Sequence, residues 1–243
     1  MSSTNGSPLL KVSRLEAGYG DIQVLWGIDI EVYHGEIVAI VGSNGAGKTT
    51  FLRTLSGLLK PTAGSIAFDG QSIERESSEK IVGGGISHVP EGRRLFPAMT
   101  LEDNLLMGAY ARKLSVAELQ PDMDRVFKYF PILHERRRQL AGSLSGGEQQ
   151  MCAVARGLMA RPKLLLIDEL SLGLAPRIVE ELSGIVQEIN AEGVTVVLVE
   201  QDVLTALEVS SRAYVFETGR VSLAGPSQEL MAKQEVKRAY LGM

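Results

Sequence analysis

The sequence has little cysteine, no excess of positive charge and no long apolar run. Its single cysteine, Cys152, excludes an internal disulfide and a cysteine-based metal site. It sits in Gln150-Met151-Cys152-Ala153-Val154, where a helix would bury it as a small hydrophobic residue. No N-terminal apolar run reads as a signal peptide, and the Ser/Asn/Gly-rich segment before Pro8 is expected to be loose. The longest apolar stretches, such as Val194 to Val199, are too short to cross a bilayer. A formal net charge of −4 argues against general nucleic-acid binding. There is no internal repeat and no linker long enough to divide the chain. These absences lead to a soluble, cytoplasmic protein as the expectation. What is present is 243 residues, 44% hydrophobic and 22% charged, enough for a substantial α/β core.

The stretch Gly42-Ser43-Asn44-Gly45-Ala46-Gly47-Lys48-Thr49-Thr50 organises the rest. It matches the phosphate-loop pattern G-x-x-x-x-G-K-[ST], with Gly42, Gly47, Lys48 and Thr49 at the fixed positions. An apolar strand-like run, Glu36 to Val41, precedes it. A helical pattern, Lys48 to Leu59, follows, with Phe51, Leu52, Leu55 and Leu58 on one face. A loop between a strand and a helix N-terminus points backbone N–H groups and the positive end of the helix dipole at one spot. Lys48 would reach the β- and γ-phosphates, and the Thr49 hydroxyl would ligate Mg²⁺.

Other segments read as follows. Leu9 to Leu15 reads as a strand, Ala17 to Gly20 as a turn and Ile28 to Tyr33 as a half-solvated strand. Tyr19 would either stack on a purine or be a packed or simply exposed ring. Strands are expected at Ser65 to Phe68 and Ile86 to Val89. The second of these leads into the loop Glu91-Gly92-Arg93-Arg94-Leu95-Phe96-Pro97, where Glu91 would face a metal or be solvated surface. Thr100, with Asp103 three residues on, predicts a helix from Leu101. Leu101 to Leu140 reads as mostly helical, with breaks near Pro121 and Pro131, and Glu135 to Arg138 as a solvated helix end. A helical lobe over about residues 97–160 is therefore expected within one domain spanning 1–243.

Leu144-Ser145-Gly146-Gly147-Glu148-Gln149-Gln150 predicts a helix to about Ala160, capped by Ser145. Two glycines in its first turn cost roughly 1 kcal/mol each against alanine, so they imply close approach of a ligand to the backbone. Leu164 to Glu169 is a buried-type strand ending in two carboxylates. Asp168 and Glu169 would hold Mg²⁺ and orient water, or else cap the next element. Pro176 to Asn190 reads as a helix and Val194 to Val199 as a buried strand. Ala213 to Phe216 and Val221 to Leu223 form a hairpin with Gly219 at positive φ, and Pro226 to Tyr240 is helical. Alternating strands and helices give an α/β fold, with a mainly parallel core sheet and an antiparallel N-terminal portion.

Together, Gly42–Thr49, Leu144–Gln150 and Leu164–Glu169 resemble the motif set of an ATP-binding-cassette (ABC) ATPase, a P-loop NTPase fold. The resemblance covers nearly the whole chain. Finer features are similar to the LivF-type subunit of branched-chain amino acid importers: Val89 to Arg94, Ser171 to Pro176, Val199-Glu200-Gln201 and the ending Ala239 to Gly242. The resemblance implies two cassettes, head to tail, sandwiching two ATP molecules. It implies that Tyr19 stacks on adenine, that Asn44 to Thr50 hold the phosphates, that Thr49 and Asp168 serve Mg²⁺ and that Glu169 polarises water. Ser145, Gly146, Gly147 and Glu148 would belong to the signature that meets the partner's γ-phosphate. The implied partners are a second, related ATPase subunit or a second copy, membrane-embedded permease subunits and, indirectly, a periplasmic or surface solute-binding protein. No nucleic acid is implied, and the location is the cytoplasmic face of the membrane.

Four positions depart from the general cassette pattern. Glu91 replaces Gln, Gln201 replaces the switch His, Ala175 replaces Asp and Leu170 replaces Pro. Without the His, one γ-phosphate contact is neutral, which favours slow turnover. A nucleotide-gated assembly module with little hydrolysis is the competing reading, favoured by Gln201 and Ala175 and opposed by Lys48, Asp168 and Glu169. A DNA-repair or translation cassette would carry a second cassette or long coiled-coil insertions, and a small-molecule kinase would leave the signature unexplained. The cargo is not encoded in this chain, since binding protein and permease select it.

Overall fold

The structure is a computed structural model and describes residues 6–234 and Val236. In chain order the strands are β1 Leu10–Tyr19, β2 Ile22–Val32, β3 Ile37–Val41, β4 Ala63–Phe68, β5 Gln71–Ser72, β6 Ile86–Val89, β7 Leu164–Asp168, β8 Thr195–Glu200, β9 Arg212–Glu217 and β10 Arg220–Pro226. The helices are α1 Lys48–Leu55, α2 Ser78–Gly84, α3 Leu101–Gly108, α4 Val116–Tyr129, α5 Pro131–Glu135, α6 Gly146–Leu158, α7 Pro176–Ala191, α8 Val203–Val209 and α9 Ser227–Ala232.

The strands make two sheets. One has the order β10-β9-β3-β8-β7-β6, parallel from β9 to β6, with β10 antiparallel at one edge. The other is antiparallel, in the order β2-β1-β4-β5. β3, β7 and β8 are buried along their whole length, so their sequences read as continuous apolar runs. Successive side chains serve opposite faces. Val38 and Ile40 pack with Phe51, Phe216 and the antiparallel sheet, whereas Ala39 and Val41 pack with Val203 and Leu207. Val196 and Leu198 join a third cluster with Leu101, Leu105, Phe130 and Met151. The helices between residues 101 and 158 thus share a core with the parallel sheet.

The structure corrects several local readings. The turn read at Ala17 to Gly20 falls later: β1 runs to Tyr19 and the chain turns at Gly20-Asp21. Gly18 is a close-approach residue, since a Cβ there would lie 2.2 Å from Ile22 O. β2 accordingly starts six residues before Ile28. α1 stops at Leu55 rather than Leu59, because Gly57 takes φ 73°. Pro121 does not break a helix. It lies inside α4, which a reciprocal cap between Ser115 and Glu118 starts upstream. The break falls instead at Lys113, φ 54°, and Pro131 starts α5. α2 and α8 were not foreseen. Each starts from a local cap, Ser77 and Asp202. α9 ends at Ala232, and the expected continuation to Tyr240 falls largely on residues outside those described.

Candidate functional site

β3 sits between β9 and β8, and the Gly42–Thr50 loop leaves its C-terminal end. The loop is wedged against its neighbours. A Cβ on Gly42 would lie 2.3 Å from Phe216 O, and one on Gly47 2.8 Å from a Leu25 methyl. Gly47, at φ 102°, is the N-cap of α1 and offers no side chain to the first N–H groups, which leaves them without a side-chain cap. Gly219 N–H donates to Ala46 O at 3.0 Å and ties the β9–β10 hairpin to the loop. Lys48 is buried, and its Nζ donates to Gly42 O at 2.7 Å and Ser43 O at 3.2 Å. Burial lowers its pKa, while Glu169, Asp168, Glu200 and Glu91 oppose that shift.

Asp168 ends β7 fully buried, and Glu169 follows at φ 56°. Thr49 Oγ1 donates to Asp168 Oδ1 at 3.4 Å. Asp168 Oδ2 and Glu169 Oε2 are both buried without a hydrogen-bond partner. Burial, opposed by Thr49 and reinforced by Glu169 and Glu91, pushes the Asp168 carboxyl up to about 6. Gln201 Nε2 donates to Glu169 Oε1, so the other carboxylate oxygen is the one left without a partner. One cleft is lined by Val24, Asn44, Gly45, Gly47, Lys48, Thr49, Thr50, Glu91, Glu169 and Gln201. All three residues expected to be catalytic, and most of the expected phosphate-binding residues, thus meet in one place.

Thr49 and the unpartnered Asp168 oxygen are hard donors suited to Mg²⁺, which takes few protein ligands and completes its shell with phosphate oxygens and water. Consistently, among the described residues no cluster of three or more His, Cys, Asp or Glu could hold a metal by itself. Tyr19 ends β1 nearly half exposed, its hydroxyl 3.2 Å from Arg53 Nη1. It is Val24, not singled out in the sequence, that lines the cleft wall. Val24 has no motif signal, and Gly219 was legible only as a hairpin turn, because their place at the site depends on β2 and the hairpin folding over the loop.

Ser145 caps α6 as expected and shares a reciprocal cap with Glu148, its N–H donating to Glu148 Oε2 at 2.8 Å. Arg136 approaches Glu148 to 2.6 Å as an ion pair not aligned as a hydrogen bond, so the arginine run is more than a solvated helix end. Each of the two signature glycines also has a close side-chain neighbour within this chain. A Cβ on Gly147 would meet Ile178 of α7 at 3.0 Å, and one on Gly146 the Arg93 guanidinium at 3.3 Å. Ser145, Gly146, Gly147 and Glu148 line a second cleft with Gly173, Leu174 and Ala175. It shares no residue with the phosphate-loop cleft. Cys152 is buried in α6, and burial pushes its thiol up to about 12.

A phosphate loop at the end of a central parallel strand, a carboxylate pair on the next strand but one, and a separate capped Ser-Gly-Gly helix form a recognisable combination. The family model described as "ABC transporter" matches residues 25–171. The chain belongs to the ABC transporter family. This cassette is 45% identical over 234 residues to the "High-affinity branched-chain amino acid transport ATP-binding protein BraG" of Pseudomonas aeruginosa, covering 96% of this chain and all of that one. It is 31% identical to the "Probable branched-chain amino acid transport ATP-binding protein LivF" of Archaeoglobus fulgidus, over 97% of this chain and 99% of that one. Among solved structures, a dimeric ATP-binding cassette bound to ADP and phosphate superposes with a TM-score of 0.80 at 25% identity, covering 90% of this chain and 98% of that one. Cassettes of this family bind nucleotide, and the ATP-binding subunits of its transporters hydrolyse ATP.

Proposed function

We propose that the cassette is the ATP-binding and ATP-hydrolysing subunit of a branched-chain amino acid importer. The meeting of Gly42–Thr50 with Glu91, Glu169 and Gln201 in one cleft carries the enzymatic part of this reading. The full-length likeness to BraG supports the cargo. The whole chain acts as one domain, with a helical lobe over about residues 97–160. Tyr19 stacks on adenine at the mouth. Backbone N–H groups of Asn44 to Thr50 hold the phosphates, and Lys48 leaves its resting carbonyl partners to reach the terminal phosphate. Thr49 and Asp168 hold Mg²⁺, which neutralises charge on the phosphate oxygens. Glu169 receives the proton of the attacking water through its unpartnered oxygen, and Gln201 fixes the other.

A second cassette supplies the Ser145–Glu148 signature to each site, because one chain keeps its two clefts apart. That second cassette is a related ATPase chain or another copy. Among the described residues no helix is long and apolar enough to cross a membrane. By likeness to the transporter subunit BraG, the cassette attaches to the cytoplasmic face through permease subunits, and a periplasmic or surface binding protein delivers the solute. Two variants test the chemistry. Lys48→Ala is expected to weaken ATP binding more than tenfold. Glu169→Gln is expected to bind ATP normally yet hydrolyse it about a hundredfold more slowly, in the range of general-base catalysis. Near-normal turnover by Glu169→Gln would refute its assigned role. The cargo is tested by uptake of labelled leucine, with urea as a control, in cells with and without this chain.

A further inference from the structure

Three successive residues at the end of β8 grip the turn that carries Glu169. Val199 O accepts from Glu169 N–H at 2.9 Å. Glu200 accepts from Ser171 N–H at 3.0 Å with one oxygen and from Ser171 Oγ–H at 2.7 Å with the other. Gln201 donates to the Glu169 carboxylate. Glu200 is 1% exposed, at the end of a strand whose other residues are apolar apart from Thr195. Both its oxygens accept from Ser171. From Ser171 the chain continues to Gly173, Leu174 and Ala175, which line the signature cleft. Glu200 therefore anchors the start of the segment that joins the two clefts.

An apolar side chain would fill this strand end without the cost of burying a carboxyl. Glutamate here is explained by what it holds. We propose that Glu200 is a positioning residue for hydrolysis: through Ser171 it sets the Glu169 turn and the Ser171–Ala175 segment relative to each other. The free Glu169 oxygen then stays aimed at the phosphate cleft when the signature side is engaged. This inference rests on the role given to Glu169 above.

The test uses the full chain with three variants, Glu200→Ala, Glu200→Gln and Ser171→Ala, read out by ATP affinity, hydrolysis rate and amide exchange of residues 168–175. Glu200→Ala is expected to leave ATP affinity within about twofold, lower the rate about tenfold or more and speed exchange in that segment alone. Glu200→Gln keeps an acceptor for the Ser171 N–H and should recover most of the rate. Ser171→Ala should reproduce part of the Glu200→Ala defect, and the two changes together should be less than additive. The idea is overturned by an unchanged rate and exchange pattern in Glu200→Ala, by a uniform rise in exchange with parallel loss of ATP affinity, or by Glu200→Gln behaving like Glu200→Ala. Failure of the wild-type chain to bind ATP would overturn the ATPase reading instead, while amide exchange would still report whether Glu200 holds the turn.

Discussion

Asp168 and Glu200 end adjacent parallel strands, and burial holds both carboxyls near 6. For Glu200 the consequence for stability has a definite sign. Burial, opposed by the Ser171 hydrogen bonds, moves its carboxyl from an ordinary 4.5 up to about 6. Below the ordinary value the group is protonated in both folded and unfolded chain and adds no pH-dependent cost. Between the two values the unfolded chain ionises first, so stability falls as pH rises. Above the folded value the full cost persists, about 1–2 kcal/mol. Glu200→Gln removes this ionisation. Its stability relative to wild type should therefore rise by about that amount between pH 4 and pH 7.5, measured by urea unfolding. Parallel pH curves for the two proteins would show that the carboxyl does not carry the cost. The same residue would thus lower stability near neutral pH while holding the geometry that hydrolysis needs.

At the scale of elements, the β9–β10 hairpin shows how a turn serves a site in another part of the sequence. Thr218 and Gly219 both adopt positive φ, 47° and 73°, as a two-residue hairpin loop requires. Gly219 also lies against β2: a Cβ there would sit 1.8 Å from Val24 O. Gly219→Ala should push the hairpin away, strain its link to Ala46, and lower both the melting temperature and ATP affinity. A variant that melts earlier but binds ATP normally would show that the hairpin does not shape the loop. Gly108→Ala makes the matching test in the helical region, where a Cβ would lie 2.0 Å from Arg156 O. It should cost more than about 2 kcal/mol in unfolding measurements, since two helices must separate.

These elements also show what was legible in the sequence. The phosphate loop, the Ser145 and Thr100 caps and the buried strands were readable because each depends on residues within a few positions of one another. The β1–β2 turn was misplaced because Gly18, read as a turn residue, answers to a strand paired beside it. Pro121 misled because the Ser115–Glu118 cap outweighed it. α2 and α8 are seven-residue helices started by single caps, too short to show a period. Val24, Gly219 and Glu200 acquire their places only when distant strands come together, and no local pattern announces that.

At the scale of the molecule, the cassette carries two clefts that share no residue. If two copies complete each other's sites, chains with different defects should rescue one another. Lys48→Ala has a damaged phosphate loop and an intact signature, and Ser145→Arg has the reverse. Each alone should be nearly inactive. Mixed, they can form dimers with one intact composite site, and part of the ATPase activity should return. No recovery, together with normal folding of both variants, would mean that a different ATPase chain supplies the signature.

The loop from Glu91 to Phe96 bridges the two regions. Glu91 lines the phosphate cleft, Arg93 reaches Gln149 at 3.2 Å, and Arg156 of α6 holds the Arg93 and Arg94 carbonyls at 3.0 and 2.8 Å. Nucleotide and any protein that grips α6 are therefore joined by one short strap. Energy passing along it obeys reciprocity: whatever factor ATP applies to the hold on α6, that hold must return to ATP. If a partner grips α6, this tether of two arginines is the path by which the cassette would report to the nucleotide what that partner is doing.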